Sequence, residues 1–535
     1  MAVVCSRCEG ADTEAEDQPI TCVTLEGGPC SPYNERASIR DRIKQLVEEI
    51  TKLKAKQKTL ETATNAIHDP FVHKFPPEIG SRILYLSLPS FNNGGHQPKA
   101  IHRPGSAVWA APLKLGSVCR KWRQLAWATP ELWTTVYIGI EPSMMHSTVK
   151  SLPGLLHEWL ARSGVLPLTI YFFHHSSSED ELSNDIHPSH GTDAFLVTAG
   201  LAIDILNLHS GRWRNLHLNA SAYILKRFSS STDPKQLVSL ELGAPNVLPL
   251  STREFMMESE LNLTHLKLIN FPSTSINIRW DNITHATLSE LTIDEGLNFL
   301  RQASSLEYYC VSMCALRDLG LTNPIVHPRL RSLHLSTKGD LNYVLKEINL
   351  PSLEEWTQNT NDTHTTLRAM QPFLWRSGYR LKVLNLYSLR YLSTVLETLL
   401  QEIPSLERIR LSFLSTHAVA KDIMDDILTR IFYSVPECRA PTFLPHLQLI
   451  EYQINDGPYS GPPPFSWDYI PKFYRDGHRR SLKLRVFTRQ LKMTDQTAVQ
   501  LLQLVNEGVD LQIIDEAIGG DFLENFKNQI HEQGV

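Results

Sequence analysis

Cysteines near the N-terminus form the most suggestive chemical pattern in this chain. Cys5 and Cys8 make a CxxC pair, and Cys22 and Cys30 follow. Four thiolates bind zinc tetrahedrally when two closely spaced pairs face one another. The intervals from Cys8 to Cys22 and from Cys22 to Cys30 match no common zinc pattern. We therefore predict solvated thiols in this segment and no metal site.

Two pairs of histidines could also bind a metal, His174 with His175 and His187 with His190. Imidazole nitrogens are frequent metal ligands. The second pair lies in a polar stretch, SSSEDELSNDIHPSH, and the first pair directly precedes it. Clusters of Ser, Asn, Asp and Pro are typical of loops. We predict a loop here, without a metal.

The sequence motifs of common enzyme classes are absent. There is no GxxxxGK[ST] phosphate loop, no GxGxxG after a strand, no HExxH zinc motif and no GxSxG nucleophile elbow. Cys310 and Cys314 lie near a predicted strand with no evident base beside them. We predict that the chain is not an enzyme and takes no cofactor, although catalytic residues can meet from distant positions.

Composition and charge favour a protein as the main partner. Of the 535 residues, 42% are hydrophobic and 20% are charged, and the net charge is −5. This balance gives no electrostatic reason to expect a nucleic acid or an anionic membrane as a partner. The sequence has no run of about 18 apolar residues and no signal peptide, so we expect no membrane span and no secretion. The predicted location is the cytoplasm, the nucleus or both.

Residues 37–69 carry a heptad repeat. They follow an acidic segment, residues 1–36, which we predict to be disordered. Isoleucines occupy a positions and leucines d positions, a combination that favours two strands; these residues are Ile43, Ile50, Leu46, Leu53 and Leu60. The pattern over residues 39–67 predicts either a homodimeric coiled coil or a helix that packs on its own chain or on another partner.

Residues 70–140 contain two short helical signatures separated by a loop at 88–112. The first begins at Pro76–Pro77, where proline pre-sets the backbone angle of a helix start. The loop is rich in Gly, Pro and Asn. The second should end at Thr129–Pro130. Its apolar face is formed by Leu115, Val118, Trp122 and Leu125.

These two signatures, in this order, resemble the F-box-like domain of a large fungal family, and the string from Leu113 to Trp133 is the most specific part. F-box domains bind a Skp-type adaptor, which connects them to a cullin and hence to a ubiquitin ligase. The loop is longer here than in a minimal F-box. The resemblance implies these adaptor-facing residues: Pro76, Pro77, Ile79, Leu115, Val118, Cys119 and Trp122. Alternatively, each of them could belong to the domain core.

From residue 141 to 535 the sequence predicts a solenoid of leucine-rich repeats with a C-terminal cap. Most LxxLxL units start about 20–29 residues apart, which is the period of these repeats. The units start at Leu237, Leu263, Leu288, Leu306, Leu330, Leu353, Leu381, Leu406 and Leu447. Degenerate units start at Trp213 and near Val165. Helical segments between the units predict a parallel sheet with helices outside it.

Within a unit, the first, fourth and sixth residues should point into the core, and the third and fifth should line the concave face of the sheet. Charges along that face are mixed, which favours a protein partner over a polyanion. The predicted target-binding residues are His334, Asn385, Arg408 and Arg410. The unit that starts at Leu288 contributes Glu290 and Thr292 as its third and fifth residues.

The sequence thus predicts an α/β chain with a heptad helix, a small all-α F-box-like domain and an irregular leucine-rich-repeat solenoid. The predicted function is the substrate receptor of an SCF-type (cullin) ubiquitin ligase, in which the F-box-like region holds a Skp-type adaptor and the repeats hold a target protein. An alternative is a repeat scaffold without a ligase, dimerised by the heptad helix. A third is a hydrolase or transferase whose site is hidden in the α/β fold.

Overall fold

The described residues in the computed structural model of the chain are 31–68, 74–88, 110–141, 144–174, 192–230, 232–244, 254–315, 324–337, 341–360, 364–378, 380–389, 393–413, 418–433, 443–454, 467, 470–476, 481–488, 493–515 and 520–533. Three predictions fall on residues outside these ranges. They concern the solvated thiols of Cys5, Cys8, Cys22 and Cys30, the histidine pair His187 and His190, and most of the loop at 88–112. The chain divides into two units, residues 1–87 with 113–128 and residues 88–112 with 129–535.

The heptad segment forms one helix, α1 (Ser31–His68). It confirms the helix predicted over residues 37–69 and begins six residues earlier. Residues 31–36, which we predicted to be disordered, therefore belong to the helix. Proline follows Ser31, and a proline in the first turn of a helix costs no hydrogen bond, because the amides of that turn have no intrahelical acceptor.

In the described part of the first unit, three short helices follow α1. They are α2 (Pro77–Leu86), α3 (Ala111–Ser117) and α4 (Arg120–Trp127). The second predicted helical signature is therefore two helices, because the chain leaves the helical conformation at Val118–Cys119. Helices α2 and α4 pack together, with Leu84 and Ala126 buried. The nitrogen Nε of Arg123 donates to the carbonyl of Gly116 at 2.9 Å and ties α4 to α3.

The second unit is built on one 15-stranded sheet. Neighbouring strands are parallel except the last pair, so the predicted α/β architecture with a parallel sheet is confirmed. In order across the sheet, the strands are β1 (Thr135–Ile140), β2 (Leu168–His174), β3 (Trp213–Asn219), β4 (Ser239–Gly243), β5 (His265–Ile269), β6 (His285–Thr292), β7 (Tyr308–Ala315), β9 (Ser332–Thr337), β11 (Glu355–Thr360), β12 (Val383–Leu389), β13 (Arg408–Phe413), β14 (Leu449–Ile454), β15 (Lys483–Thr488), β16 (Leu511–Asp515) and β17 (Gly520–Asp521). Two short strands, β8 (Ile325–Val326) and β10 (Ile348–Asn349), form a separate parallel pair.

Helices connect many of these strands, as parallel neighbours require a long crossover. They are α5 (His146–Arg162), α6 (Thr192–Asn207), α7 (Ala222–Leu225), α8 (Ile293–Gln302), α9 (Leu341–Glu347), α10 (His364–Ser377), α11 (Ser393–Gln401), α12 (Ala418–Tyr433), α13 (Ile470–Asp476) and α14 (Asp495–Asn506). A further helix, α15 (Phe522–Gln533), follows the last strand. The chain enters the sheet soon after Thr129, so the division between the units precedes the predicted boundary at residue 140. Trp133 and β1 therefore belong to the second unit.

The repeated leucines form the core between the sheet and the helices. In the unit that starts at Leu263, the side chains of Leu263, Leu266 and Leu268 are buried, as the pattern predicts. The equivalent residues of neighbouring units stand beside them because the strands pair in register; Leu240, for example, pairs with Leu266. Each unit thus covers the apolar side of the next.

The predicted unit at Leu288 is wrong in register. His285 of β6 pairs with His265 of β5, so the unit starts at Ile283 and has Ala286 as its fourth residue. The LxxLxL pattern did not identify this start, because the fourth position holds alanine and not leucine. Glu290 has a positive φ of 62° where the register of β6 shifts, and Thr292 caps α8. Neither residue belongs to the rows of third and fifth residues.

Gln358 is the polar exception in this core. It is the sixth residue of its unit, 1% exposed, and pairs with Leu335 on one side and Leu386 on the other. Among the described residues, neither its amide oxygen nor its amide nitrogen has a hydrogen-bond partner. A buried amide without a partner lowers stability by about 1–3 kcal/mol.

Candidate partner-binding surfaces

The first unit exposes apolar side chains at positions that the resemblance assigns to adaptor binding. Ile79 is 47% exposed and Val118 is 50% exposed. Pro76 and Pro77 are also exposed. Apolar groups of this size gain free energy when a partner covers them, at about 25 cal/mol per Å² of apolar surface.

The other three candidate residues of this unit are partly buried, namely Leu115, Cys119 and Trp122. The sulfur of Cys119 accepts a hydrogen bond from the backbone amide of Trp122 at 3.4 Å. Cys119 thus caps α4 with its thiol, in the position where Ser, Thr, Asp or Asn is usual. All three residues therefore pack within the unit and keep part of their surface exposed.

In the second unit of the chain, the fifth residues of successive repeats form one continuous row across the sheet. Parallel pairing in register places them side by side. The row consists of Tyr137, Tyr171, His217, Glu241, Lys267, Thr287, Cys310, His334, Thr357, Asn385, Arg410, Glu451, Arg485 and Gln512. We call the side of the sheet that carries this row and the adjacent third residues the polar face.

A carboxylate on β4 organises the first part of the polar face. Glu241 is buried, and its two oxygens lie 2.6 Å from Nδ1 of His217 and 2.6 Å from Nζ of Lys267. Burial alone would raise the pKa of Glu241, but the hydrogen bond with His217 and the charge of Lys267 outweigh it and lower the pKa. Tyr171 stacks on His217 with ring centres 4.3 Å apart. The ammonium group of Lys267 offsets the charge of the Glu241 carboxylate.

The far part of the row contains the arginine cluster, which we define as Arg408, Arg410, Arg485 and Glu451. Glu451 is 3% exposed, and its oxygens lie 2.8 Å from Nη2 of Arg408 and 3.7 Å from Nη1 of Arg485. Three guanidinium groups against one carboxylate give the cluster a net charge of +2. A guanidinium has five N–H donors. The Nε atoms of the three arginines are buried, so the donors that a partner could reach are those of the Nη groups.

Aromatic rings hold Arg410 in the arginine cluster. Its guanidinium carbon lies 5.6 Å from the ring centre of Tyr387 and 5.1 Å from that of Phe487, and Nη2 donates to Gln453 at 3.2 Å. Cation–π contacts of this kind fix the position of the charge without neutralising it. Arg410 makes no ion pair with Glu451 in the described contacts.

The two remaining predicted target-binding residues lie on the same row, which agrees with their predicted placement. Asn385 donates to Oγ1 of Thr357 at 2.9 Å. His334 is partly exposed, with Nε2 at 4.0 Å from a carboxylate oxygen of Glu355. Four predicted residues therefore share one face, but their immediate partners differ, and only Arg408 and Arg410 belong to the arginine cluster.

The third residues of the repeat units that contain β5, β6 and β7 form a ladder of rings. His265 stacks on His285 with centres 4.5 Å apart, and His285 lies 5.9 Å from Tyr308. Each histidine Nδ1 lies within hydrogen-bond distance of the threonine before it, at 2.8 Å for His265 and 2.9 Å for His285. Burial, followed by the neighbouring His285, lowers the pKa of His265.

Among the described residues, no cluster has the composition of a metal site. No group of three or more His, Cys, Asp or Glu side chains there could hold an ion. Burial raises the pKa of Cys310 to about 11, so this thiol stays protonated near neutral pH and is a poor nucleophile. None of the described helices is long and apolar enough to cross a membrane.

Comparison with known proteins adds no assignment. No model of a protein family matches the chain, and no curated protein matches it either. Function is therefore inferred from the residues and their geometry.

Sequence reasoning missed several residues of the polar face. Arg485 and Phe487 lie on β15, in a unit that starts with Ser481 where most units have leucine, and Arg485 is its fifth residue. His285 was hidden by the wrong start at Leu288. The repetition of NLTH at residues 262–265 as NITH at residues 282–285 carries the signal. Nδ2 of Asn282 donates to Oδ1 of Asn262 at 2.5 Å, so the repetition is also structural.

Proposed function

We propose that this chain is the substrate receptor of an SCF-type ubiquitin ligase. In this proposal the first unit is an F-box-like domain that binds a Skp-type adaptor, and the second unit is a leucine-rich-repeat array that binds a target protein on its polar face. The observation that carries the proposal is the exposure of Ile79 and Val118, because apolar residues at adaptor-facing positions lie free for a partner.

The adaptor side is tested by binding of a purified Skp-type adaptor to the full-length chain. Val118→Asp places a charge at one of the exposed residues of the proposed contact, and we expect it to weaken binding at least about 30-fold, as loss of an interface hot spot of about 2 kcal/mol does. Val118 is half exposed, so folding should be preserved. Isothermal titration calorimetry measures the affinity, and circular dichroism checks the fold.

Val165→Asp is the matched control, because Val165 is exposed in the second unit and far from the proposed adaptor positions in sequence. Its affinity for the adaptor should equal that of the unchanged chain. If the folded, unchanged chain binds no Skp-type adaptor, the ligase assignment is wrong and the scaffold alternative takes its place.

The polar face supports a target with acidic groups at the arginine cluster. The net charge of +2 and the unused N–H donors suit a carboxylate, which guanidinium groups bind with two parallel hydrogen bonds. Arg410 is the residue to test, since removing it leaves both ion pairs of Glu451 in place. Reversing the charge of Arg408 would instead place two carboxylates together and disturb the fold.

A fluorescent glutamate-rich peptide serves as the probe for this cluster. We expect Arg410→Gln to reduce its affinity about tenfold, the range for loss of a charge-assisted pair, while adaptor binding stays unchanged. Arg301→Gln, an equal charge removal at an exposed position on α8, should have no effect. Fluorescence anisotropy at low salt gives both values. Equal losses for the two variants, or no binding to the unchanged chain, would contradict a site at the arginine cluster.

Glu397 on α11 would not serve as a control for charge changes at the arginine cluster. Its carboxylate pairs with Nε of Arg430, so a change there breaks an ion pair between α11 and α12. A loss of target binding in such a variant could come from altered packing of those helices.

A further inference from the structure

Helix α1 presents an apolar stripe that the described part of the chain leaves uncovered. Every described side chain from residue 34 to 64 is exposed. Seven apolar residues on it are between 40% and 59% exposed, namely Ile39, Ile43, Leu46, Val47, Ile50, Leu53 and Leu60. Helices gain most of their stability in proteins from packing of such a face, so a partner of matching pattern should cover it.

We propose that the occupant is α1 of a second copy of this chain, in a parallel two-stranded coiled coil. The a positions hold Ile43 and Ile50, and the d positions hold Leu46, Leu53 and Leu60. Isoleucine at a with leucine at d is the combination that favours parallel dimers over higher oligomers. The proposal is independent of the adaptor function, because it concerns only the helix before the first unit's short helices.

Flanking charges match when two copies run parallel in register. In a parallel pair, a g residue meets the e residue five positions later on the other helix. Glu49 at g then meets Lys54 of the second copy, and Lys56 at g meets Glu61. Symmetry gives each contact twice. Arg42 meets Val47 in the same way and can cover this apolar e residue with its methylene groups.

The polar core positions favour the same orientation. Gln57 and Thr64 occupy a positions. In a parallel homodimer each faces its own equivalent, so the Gln57 amides can hydrogen-bond to each other, and a polar a residue of this kind specifies register. In an antiparallel pair, a residues face d residues, and Gln57 would be buried against an apolar side chain. That arrangement leaves an amide without a partner.

Sedimentation of the full-length chain tests the association. We expect twice the chain mass of 60.7 kDa at micromolar concentrations. Ile50→Lys, in the centre of the stripe, should return the protein to the mass of one chain. Thr51→Lys adds the same charge one residue away, on the solvated side, and should leave the dimer intact.

Charge exchange tests the orientation and does not depend on the folding of the Ile50 variant. Glu49→Lys should weaken association about tenfold, since two attractive contacts become repulsive. Adding Lys54→Glu in the same chain should restore it, because the introduced lysine of one copy would then meet the introduced glutamate of the other. An antiparallel pair brings g to g and e to e, so it would show no such rescue.

A chain that sediments with a single-chain mass throughout the micromolar range would overturn the proposal. So would a dimer that Glu49→Lys weakens without rescue by Lys54→Glu, which would indicate antiparallel packing. A dimer that survives Ile50→Lys would place the contact between copies elsewhere. Capture of a Skp-type adaptor is read separately, so failure here and failure of the proposed function can be told apart.

Discussion

Replacing Trp133 with alanine is expected to destabilise the second unit by about 3–5 kcal/mol, the range for loss of a large aromatic side chain from a core. Trp133 is fully buried. Its ring meets Trp159 edge to face with centres 4.7 Å apart, and the guanidinium carbon of Arg162 lies 4.8 Å from its ring centre. Alanine would leave a cavity where α5 packs on the start of the sheet. Equilibrium unfolding in denaturant measures the change.

Trp375→Ala is the matched control, because Trp375 lies on α10 with most of its side chain exposed. Its effect should stay within about 0.5 kcal/mol, as for most surface changes. Trp133 also belongs to the string that resembles an F-box, yet it lies in the second unit. Folded Trp133→Ala protein should therefore bind a Skp-type adaptor as the unchanged chain does. Equal stability losses for the two tryptophan variants would contradict the packing described for Trp133.

Glu451→Gln should produce the second large effect, a loss of about 2–3 kcal/mol. Breaking a fully buried ion pair costs about 3–5 kcal/mol. Here the guanidinium groups of Arg408 and Arg485 still reach solvent, so the loss should be smaller and near that of a charged hydrogen bond. Without the carboxylate, three like charges remain on adjacent strands. Hydrogen exchange should show faster opening of β13, β14 and β15, since a unit in a linear array contacts only its neighbours.

The same substitution at the exposed Glu258 controls for loss of a negative charge alone. It should leave exchange in those three strands unchanged. If Glu451→Gln and Glu258→Gln behave alike, the carboxylate of Glu451 does not hold the arginine cluster together.

Spacing of apolar residues predicted much of the architecture. Eight of the nine LxxLxL units that we assigned from leucines have the register of the strands, because a leucine at each core position leaves one way to bury the unit. The degenerate units near Val165 and at Trp213 also became strands, β2 and β3. The heptad spacing predicted α1, because the period of apolar residues in a helix differs from that in a strand.

Spacing could not reveal where local chemistry interrupts a pattern. Apolar residues continue at intervals of three and four through Val118, yet the helix ends there, because Gly116 and Ser117 are weak helix formers and the thiol of Cys119 starts the next helix. Ala286 shows the opposite case, a core position without a leucine. In both places the local structure depends on the type of one or two residues, which the spacing of apolar residues does not show.

The candidate site was predictable in position but not in its contacts. The rule for fifth residues placed His334, Asn385 and Arg410 correctly in one row. It could not show that Arg408 reaches Glu451 on the next strand, or that Tyr387 and Phe487 lie beside Arg410, because such contacts depend on side-chain rotamers. Ion pairs between neighbouring parallel strands can be predicted only when the register of the strands is known.

Gln358 lowers the stability of the interfaces between its repeat and the two neighbouring repeats. In a linear array, total stability is the sum of the units and of the interfaces between neighbours. An amide that lacks a partner among the described residues subtracts about 1–3 kcal/mol from the interfaces of β11 with β9 and β12. Cooperativity should therefore be lowest there, so that the strands before β11 and those after it unfold as two blocks. Glu241 and the arginine cluster lie in different blocks, and one can stay intact while the other opens.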